Sequence, residues 1–376
     1  MPDQIDLFKD FPAISKADWL EKITKDLKGK PLEGLQWSLG DRTIAPFLME
    51  SDFDTLPRAI ATGSVTNAWE ISEDICCTDV AAASSQTLEA LSGGLDAPRW
   101  LVETPDICTT LPGMLQQVNP DMISMHFLLA EGAVDSFDFR DCLVSWLRQQ
   151  GSLENLQGSM QTPVMGKSER HLWITEGLSL LPAYTWVTID GTIYFTQDLQ
   201  SKALELANIL ADTQRIFGYQ EAQGMDIALL AKTTQLTVGI GTDYFVEIAK
   251  IRALQLLWGN LLGAYNIGTP EPPFIWAITS PACFSEDVHR NMIVTTTQTM
   301  SAAIGGAGRI TVTPSDATGK TSSAFSRRIA RNVQHLLMME SYIDKVQDPA
   351  AGSYYVEQLT EVLAEQAWEI FCSFNV

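Results

Sequence analysis

Histidine, cysteine, arginine and the hydroxylated side chains could carry chemistry in this chain, and their spacing limits what that chemistry can be. The four histidines, His126, His171, His289 and His335, form no HxH or HExxH arrangement, so a histidine metal site would need distant segments. Asp287-Val288-His289 reads as a helix-entry turn, with Ser285, Glu286 and Asp287 complementing the helix dipole. Of the six cysteines, Cys76 and Cys77 are adjacent and none forms a CxxC pair. That pattern suits neither a disulfide framework nor tetrahedral zinc, and predicts reduced thiols. Ser84-Ser85, Ser322-Ser323 and Thr295-Thr296-Thr297 lie in no GxSxG elbow and read as caps or packing. Arg327 and Arg331 are four apart and share a helix face, with Arg328 between them. Salt bridges to carboxylates are their expected use, and a subunit interface or a phosphate is the alternative. Asp348-Pro349-Ala350-Ala351-Gly352 predicts a tight turn into a strand-like Ser353–Val356.

Bulk composition removes several function classes. The net charge is −21, from 46 acidic and 25 basic residues, which argues against non-specific nucleic-acid binding. A polyanionic ligand would need a site that locally reverses this field. No apolar run reaches the roughly 18 residues of a membrane helix. The start, MPDQIDLFKDFPAISKADW, has no apolar h-region, so no signal peptide is expected and the cytoplasm is the expected location.

The elements that must position these residues alternate. Ser15 is the expected N-cap of a helix from Lys16 to about Leu27, ended by Gly29 and Pro31, in an arm of about 45 residues without a strand pattern. Strands are expected at Trp69–Ile71, Trp100–Val102, Ile123–Leu129, Trp186–Ile189, Leu236–Ile240, Phe274–Ile278 and Ile310–Val312. Helices are expected at Ala81–Ser92, Pro112–Val118, Phe137–Gln150 (capped by Ser136), Lys202–Thr213, Phe245–Leu262, Asn291–Ile304, Phe325–Met339 and from Gln358 onward. Seven to eight strand–helix units over about 300 residues favour an α/β fold closed as a (β/α)8 TIM barrel. The expected organisation is an arm over 1–45, for subunit contact, and a barrel over 46–376. Gly305-Gly306-Ala307-Gly308 follows a helix rather than a strand, so it reads as a helix end and turn, not a phosphate loop.

Five segments carry a resemblance: DLFKDFPAISKADWLEKITKDLKG, Asn67–Ile71, Tyr244–Ala253, TTTQTMSAAIGGA (Thr295–Ala307) and Phe325–Thr360, which includes Arg327, Arg328, Arg331, Asn332, Asp348, Pro349, Gly352, Tyr354 and Tyr355. Together they resemble the methylmalonyl-CoA mutase family of adenosylcobalamin-dependent isomerases, and within it the small, non-catalytic subunit. The resemblance implies a substrate-type TIM barrel without the cobalamin domain. It implies a large catalytic subunit as partner, which would carry the adenosylcobalamin, and interconversion of methylmalonyl-CoA and succinyl-CoA by the pair. No catalytic residue, metal ligand or cofactor is assigned to this chain by it.

Departures from the family pattern support that assignment. The family's Gly-Tyr-His-Met-Gln-Glu-Ala-Gly-Ala segment matches Gly191–Leu199, where the histidine falls on Ile193 or Tyr194, with Gln197 close by. Neither side chain replaces an imidazole, although Tyr194 can donate one hydrogen bond. The cobalt-binding Asp-x-His-x-x-Gly loop is not matched at Asp287, because Met292 stands where glycine is required. These changes predict a barrel packed shut by bulky apolar and aromatic residues, a poor fit to a CoA ester. The alternative is an independent barrel enzyme on a CoA ester or small acid, with Tyr194, Glu205 or Asp243 as acid/base groups.

Overall fold

The computed structural model describes residues 14–53, 66–317 and 322–374. The segment DLFKDFPA at the start of the expected arm lies outside these residues. Helix α1 spans Lys16–Asp26, and Ser15 and Asp18 close a reciprocal capping box at its start. The expectation that no strand occurs in the arm fails: Trp37–Leu39 and Arg42–Ile44 form a small antiparallel hairpin. Its signal is weak because each strand has only three residues, and Ile44 is buried by tertiary contacts rather than by periodicity.

Eight parallel staves follow. They are β1 (Glu70–Cys76), β2 (Ala97–Val102), β3 (Met125–Leu129), β4 (Gly158–Gln161), β5 in two segments (Tyr184–Thr185 and Val187–Asp190), β6 (Thr234–Ile240), β7 (Phe274–Thr279) and β8 (Arg309–Thr311). The surrounding helices are α2 (Val80–Ser92), α3 (Ile107–Met114), α4 (Ser136–Gln150), α5 (Lys167–Leu180), α6 (Lys202–Ala222), α7 (Ile227–Lys232), α8 (Tyr244–Ala264), α9 (Val288–Gly305), α10 (Ala324–Met339) and α11 (Tyr354–Ser373). Each stave pairs with the next, and β8 returns to β1. The lower segment of β5 pairs with β4 and the upper segment with β6, with only Trp186 between them. Chain continuity through Trp186 therefore closes the expected TIM barrel, while the ladder between β4 and β5 stops at Thr185. Among the described residues no helix is long and apolar enough to cross a membrane.

The outward face of each stave packs on helices. Trp100, Phe127, Leu236, Val238 and Ile310 are buried there, each contributing about 1.5–3 kcal/mol against exposure. Several boundaries differ from expectation for local reasons. Helix α3 starts at Ile107 rather than Pro112 and carries Pro112 inside it. Proline cannot donate back to the carbonyl of Cys108, and the Cys142 thiol of α4 occupies that acceptor at 3.3 Å. Helix α4 is capped by Asp135, not Ser136; its carboxylate accepts from the N–H groups of Phe137 and Asp138. Helix α6 runs nine residues past Thr213. The strand-like Ser353–Val356 is instead the start of α11, because Glu357 in its first turn is drawn back onto Gly352 N–H and Arg252. Gly306 is the left-handed cap of α9, as its sequence predicts.

Candidate functional site

Inward-facing side chains from all eight staves form one layer across the barrel. Arg309 of β8 donates through Nε to Glu70 of β1 at 2.7 Å and through Nη1 to Gln235 of β6 at 3.2 Å. Gln235 Nε2 donates to Ser159 of β4 and Thr188 of β5, at 3.1 and 3.0 Å. Ser159 Oγ lies 2.8 Å from His126 Nδ1 of β3. The His126 ring meets the Trp276 ring of β7 edge-on. Trp276 is flanked by the guanidinium groups of Arg309 and Arg99, at 4.6 and 5.0 Å from its centroid. Arg99 of β2 grips both oxygens of Asp74 on β1, at 2.6 and 2.7 Å.

This corrects the expectation of an apolar plug. The barrel centre is filled, but by charged and hydrogen-bonding groups. Alternation explains the difference: apolar residues dominate each strand run because they face the helices, while every second residue turns inward. Burial, followed by the charges of Arg309 and Arg99, holds the His126 imidazole well below its ordinary value. Its Nε2 is buried without a partner. Burial likewise depresses Arg309, only partly offset by Glu70, whereas Asp74 overcomes the burial of Arg99 and raises it.

A second charged cluster lies between α6, α8 and the end of β6. Lys250 sits 3.1 Å from Glu205 and 2.7 Å from Glu247, Lys202 sits 2.9 Å from Glu247, and all four are fully buried. Lys250 also donates to Gly239 O at 2.6 Å, and both ammonium groups lie over the Phe195 ring. Burial, aided by the Glu247 charge, raises Glu205 against the pull of Lys250 and Lys202; at Glu247 the two lysines outweigh burial and lower it. Each buried charge has its counter-ion, so the cluster holds helices together and offers no free acid or base.

The residues proposed for independent catalysis do not assemble. Tyr194 donates to Asp212 at 2.6 Å, and burial, then Asp212, pushes its hydroxyl up to about 12. Glu205 is locked on Lys250, and Asp243, raised by burial and then by Glu247, precedes α8 beside that cluster. Ile193 points to solvent. Gln197 approaches Gly241 with its Nε2 buried and unpartnered. Ile193 and Tyr194 do share a cleft of about 600 Å³ with Gln161, Arg170, Asp190, Asp212 and Arg215, above the end of the β4–β5 ladder. Strand β4 and helix α5, which help wall it, carry too few periodic apolar residues to be read from sequence.

Most of the signature positions make contacts within the chain. Arg252 of α8 makes two-point contacts with both Asp348 and Glu357 and also donates to Thr360 at 3.0 Å. Arg331 and Arg327 of α10 face Glu73 of β1 and Glu89 of α2, so the salt bridges expected of them form. Arg328 and Asn332 lie on the exposed face of the same helix. Tyr355 accepts from Trp37 Nε1 at 3.0 Å and meets Phe245 edge-on, tying the hairpin to α11. Tyr354 packs against Phe53, and Pro349 is half-buried ahead of Gly352, whose φ of +81° suits glycine.

Comparison with known proteins identifies the family. The family model described as methylmalonyl-CoA mutase matches residues 177–375. The chain is similar to the methylmalonyl-CoA mutase small subunit of Porphyromonas gingivalis, with 31% identity over 98% of this chain and 64% of that protein. It is also similar to the small subunit of Streptomyces virginiae, with 26% identity over 98% and 65%. A methylmalonyl-CoA mutase of Cereibacter sphaeroides is 35% identical over 50% of this chain and 27% of its own length. The chain thus spans just under two thirds of the small subunits it matches. With a family match over more than half its residues and the barrel that the match implies, the chain belongs to the methylmalonyl-CoA mutase family.

Proposed function

We infer that the chain acts as a small-subunit barrel, without catalytic residues of its own, that stabilises a large catalytic mutase subunit. That subunit would bind adenosylcobalamin, and the pair would interconvert methylmalonyl-CoA and succinyl-CoA. The observation that carries this reading is the layer of Glu70, Arg99, His126, Ser159, Gln235, Trp276 and Arg309, which occupies the barrel axis with side chains that contact one another. An extended acyl-pantetheine chain could pass only by breaking two buried or half-buried ion pairs. The mouth at the opposite end of the staves, about 710 Å³, is lined by Glu70, Asp96 and Asp121, which repel a polyanion.

The histidines present do not fit an axial ligand to a corrin cobalt. His126 is sealed inside the barrel, His171 is held by Gln220 at 2.6 Å, and His335 lies 3.0 Å from Gly93 O. His289 is exposed in the first turn of α9, outside the large clefts. No step of the reaction is therefore assigned to residues of this chain.

The test is to mix the chain with the large mutase subunit of the same organism and measure mass by light scattering after size exclusion. A 1:1 complex is expected, with no heat signal when the isolated chain is titrated with methylmalonyl-CoA. Separate peaks, or micromolar CoA-ester binding by the chain alone, overturn the reading. The second outcome would favour an independent barrel enzyme.

A further inference from the structure

The cleft above the β4–β5 ladder is built to hold something that the subunit reading does not use. Below Trp186 the two staves are hydrogen-bonded; above it they part, and among the described residues the hydrogen bond that spans the gap is Gln161 Nε2 to Asp190 Oδ2, at 2.9 Å. The parting follows from Trp186. Its N–H donates to Thr233 O and its indole to Leu181 O, which turns the upper half of β5 toward β6. The result is a cleft of about 600 Å³ rather than a closed seam, within the roughly 300–1,000 Å³ common for small-molecule sites.

Two chemistries line it. The inner wall is apolar: the buried Leu129, Met160, Met165, Trp173 and Trp186 each show a small part of their surface to the cleft, beside the half-buried Ile216. The rim carries Arg170, on the first turn of α5. Neighbouring charged groups are engaged: Asp190 accepts from Thr192, Thr237 and Gln161, and Asp212 accepts from Tyr194 and Arg215. Lys167 lies over the Tyr219 ring. Arg170 is half-buried, and its guanidinium has neither a hydrogen bond nor an ion pair among the described residues. Asp212 and Glu169 act on it only through space, and burial depresses it from its ordinary value. A half-buried guanidinium without an acceptor is costly. A carboxylate matches its fork geometry better than any other small anionic group except phosphate.

We propose that this cleft binds a small amphipathic monocarboxylate, with its carboxylate on Arg170 and its apolar body lying over the floor that Met160 and the touching rings of Trp173 and Trp186 form, against Ile216. The apolar wall selects against a phosphate or a dicarboxylate, which would bring a second charge into it. The site is lateral to the filled barrel axis and needs no partner subunit, so it stands or falls separately from the scaffolding role.

The probe is sodium octanoate, below its micelle concentration, titrated calorimetrically into the chain, with 1-octanol as the uncharged counterpart. Octanoate is expected to saturate at a 1:1 ratio with millimolar or tighter affinity. Arg170→Gln is expected to weaken octanoate about tenfold or more while leaving octanol unchanged. Val164, almost fully exposed at the cleft mouth, carries no packing, so Val164→Trp tests occlusion without a folding penalty and is expected to weaken both probes. Equal octanoate binding by the wild type and Arg170→Gln overturns the proposal. So does the absence of saturable octanoate binding at millimolar concentration, or unaltered binding in Val164→Trp.

Discussion

Arg252 and Asp348 meet face to face, Nε to Oδ1 and Nη2 to Oδ2 both at 3.0 Å, although they are 96 residues apart. Glu357 completes the clamp from the first turn of α11, at 2.9 and 3.0 Å. Asp348 reaches Arg252 because its backbone adopts φ +43° at the turn. The contact therefore explains the adjoining proline and the glycine at Gly352: the turn exists to aim a carboxylate into the interface of α8 and α11. Two sequence blocks that look independent are the two halves of one ion-pair network.

Removing the guanidinium should be severe. Arg252→Met removes the guanidinium that two buried carboxylates share, and loss of one partner of a buried pair costs about 3–5 kcal/mol. Urea denaturation followed by circular dichroism measures it. A loss below about 1 kcal/mol would mean that water replaces the arginine and that the network does not lock α11.

His126 gives the fold a pH dependence. Its folded-state value is depressed, by burial and then by two arginine charges, while the unfolded chain titrates near about 6.5. Below that value the unfolded state binds a proton that the folded state refuses. Stability therefore falls as pH drops below about 6.5, by up to about 1.4 kcal/mol per pH unit for one such group. His126→Gln should flatten the slope between pH 6.5 and 5.5 relative to the wild type. An unchanged slope would place the effect on other groups.

The architecture was legible because strand and helix periods differ and alternate along the chain, and the arginines of α10 were legible as salt-bridge formers from their helical spacing. The cross-barrel layer was not. Its members, such as Ser159, Gln235 and Arg309, sit singly in different staves, and only closure brings them within hydrogen-bond distance. The start of α11 departs from its sequence pattern for a related reason: Tyr354-Tyr355-Val356 has strand propensity, which the Arg252–Glu357 contact overrides. Ile193, Tyr194 and Gln197 stand out through a family pattern, whereas Arg170 beside the first two has no periodic or motif signal at all.

The seam between β3, β4 and β5 is as tight at its lower end as it is open above. A Cβ added at Gly158 would lie 2.1 Å from Met125 O and 2.6 Å from the Tyr184 ring. The first is backbone and cannot swing aside. Gly158→Ala should therefore cost at least the upper end of the roughly 1–3 kcal/mol typical of overpacking, measured as a fall in the urea midpoint at unchanged slope. Retention of wild-type stability would show that β4 can slide away from β3.

Adjacent cysteines should behave as opposites. Cys76 is exposed and Cys77 is buried, because successive residues here face opposite sides as β1 ends. Burial pushes the Cys77 thiol up to about 12, and Cys142 is likewise pushed up to about 12 by burial and its contact with Cys108. Thiolate is the reactive form, so both should be inert near neutral pH. Brief iodoacetamide treatment followed by peptide mass spectrometry should label Cys76 and the exposed Cys372 first, and Cys77 only in denaturant. Equal labelling of Cys76 and Cys77 in the native protein would mean that the top of β1 opens, and with it the Asp74–Arg99 end of the cross-barrel layer that closes the axis.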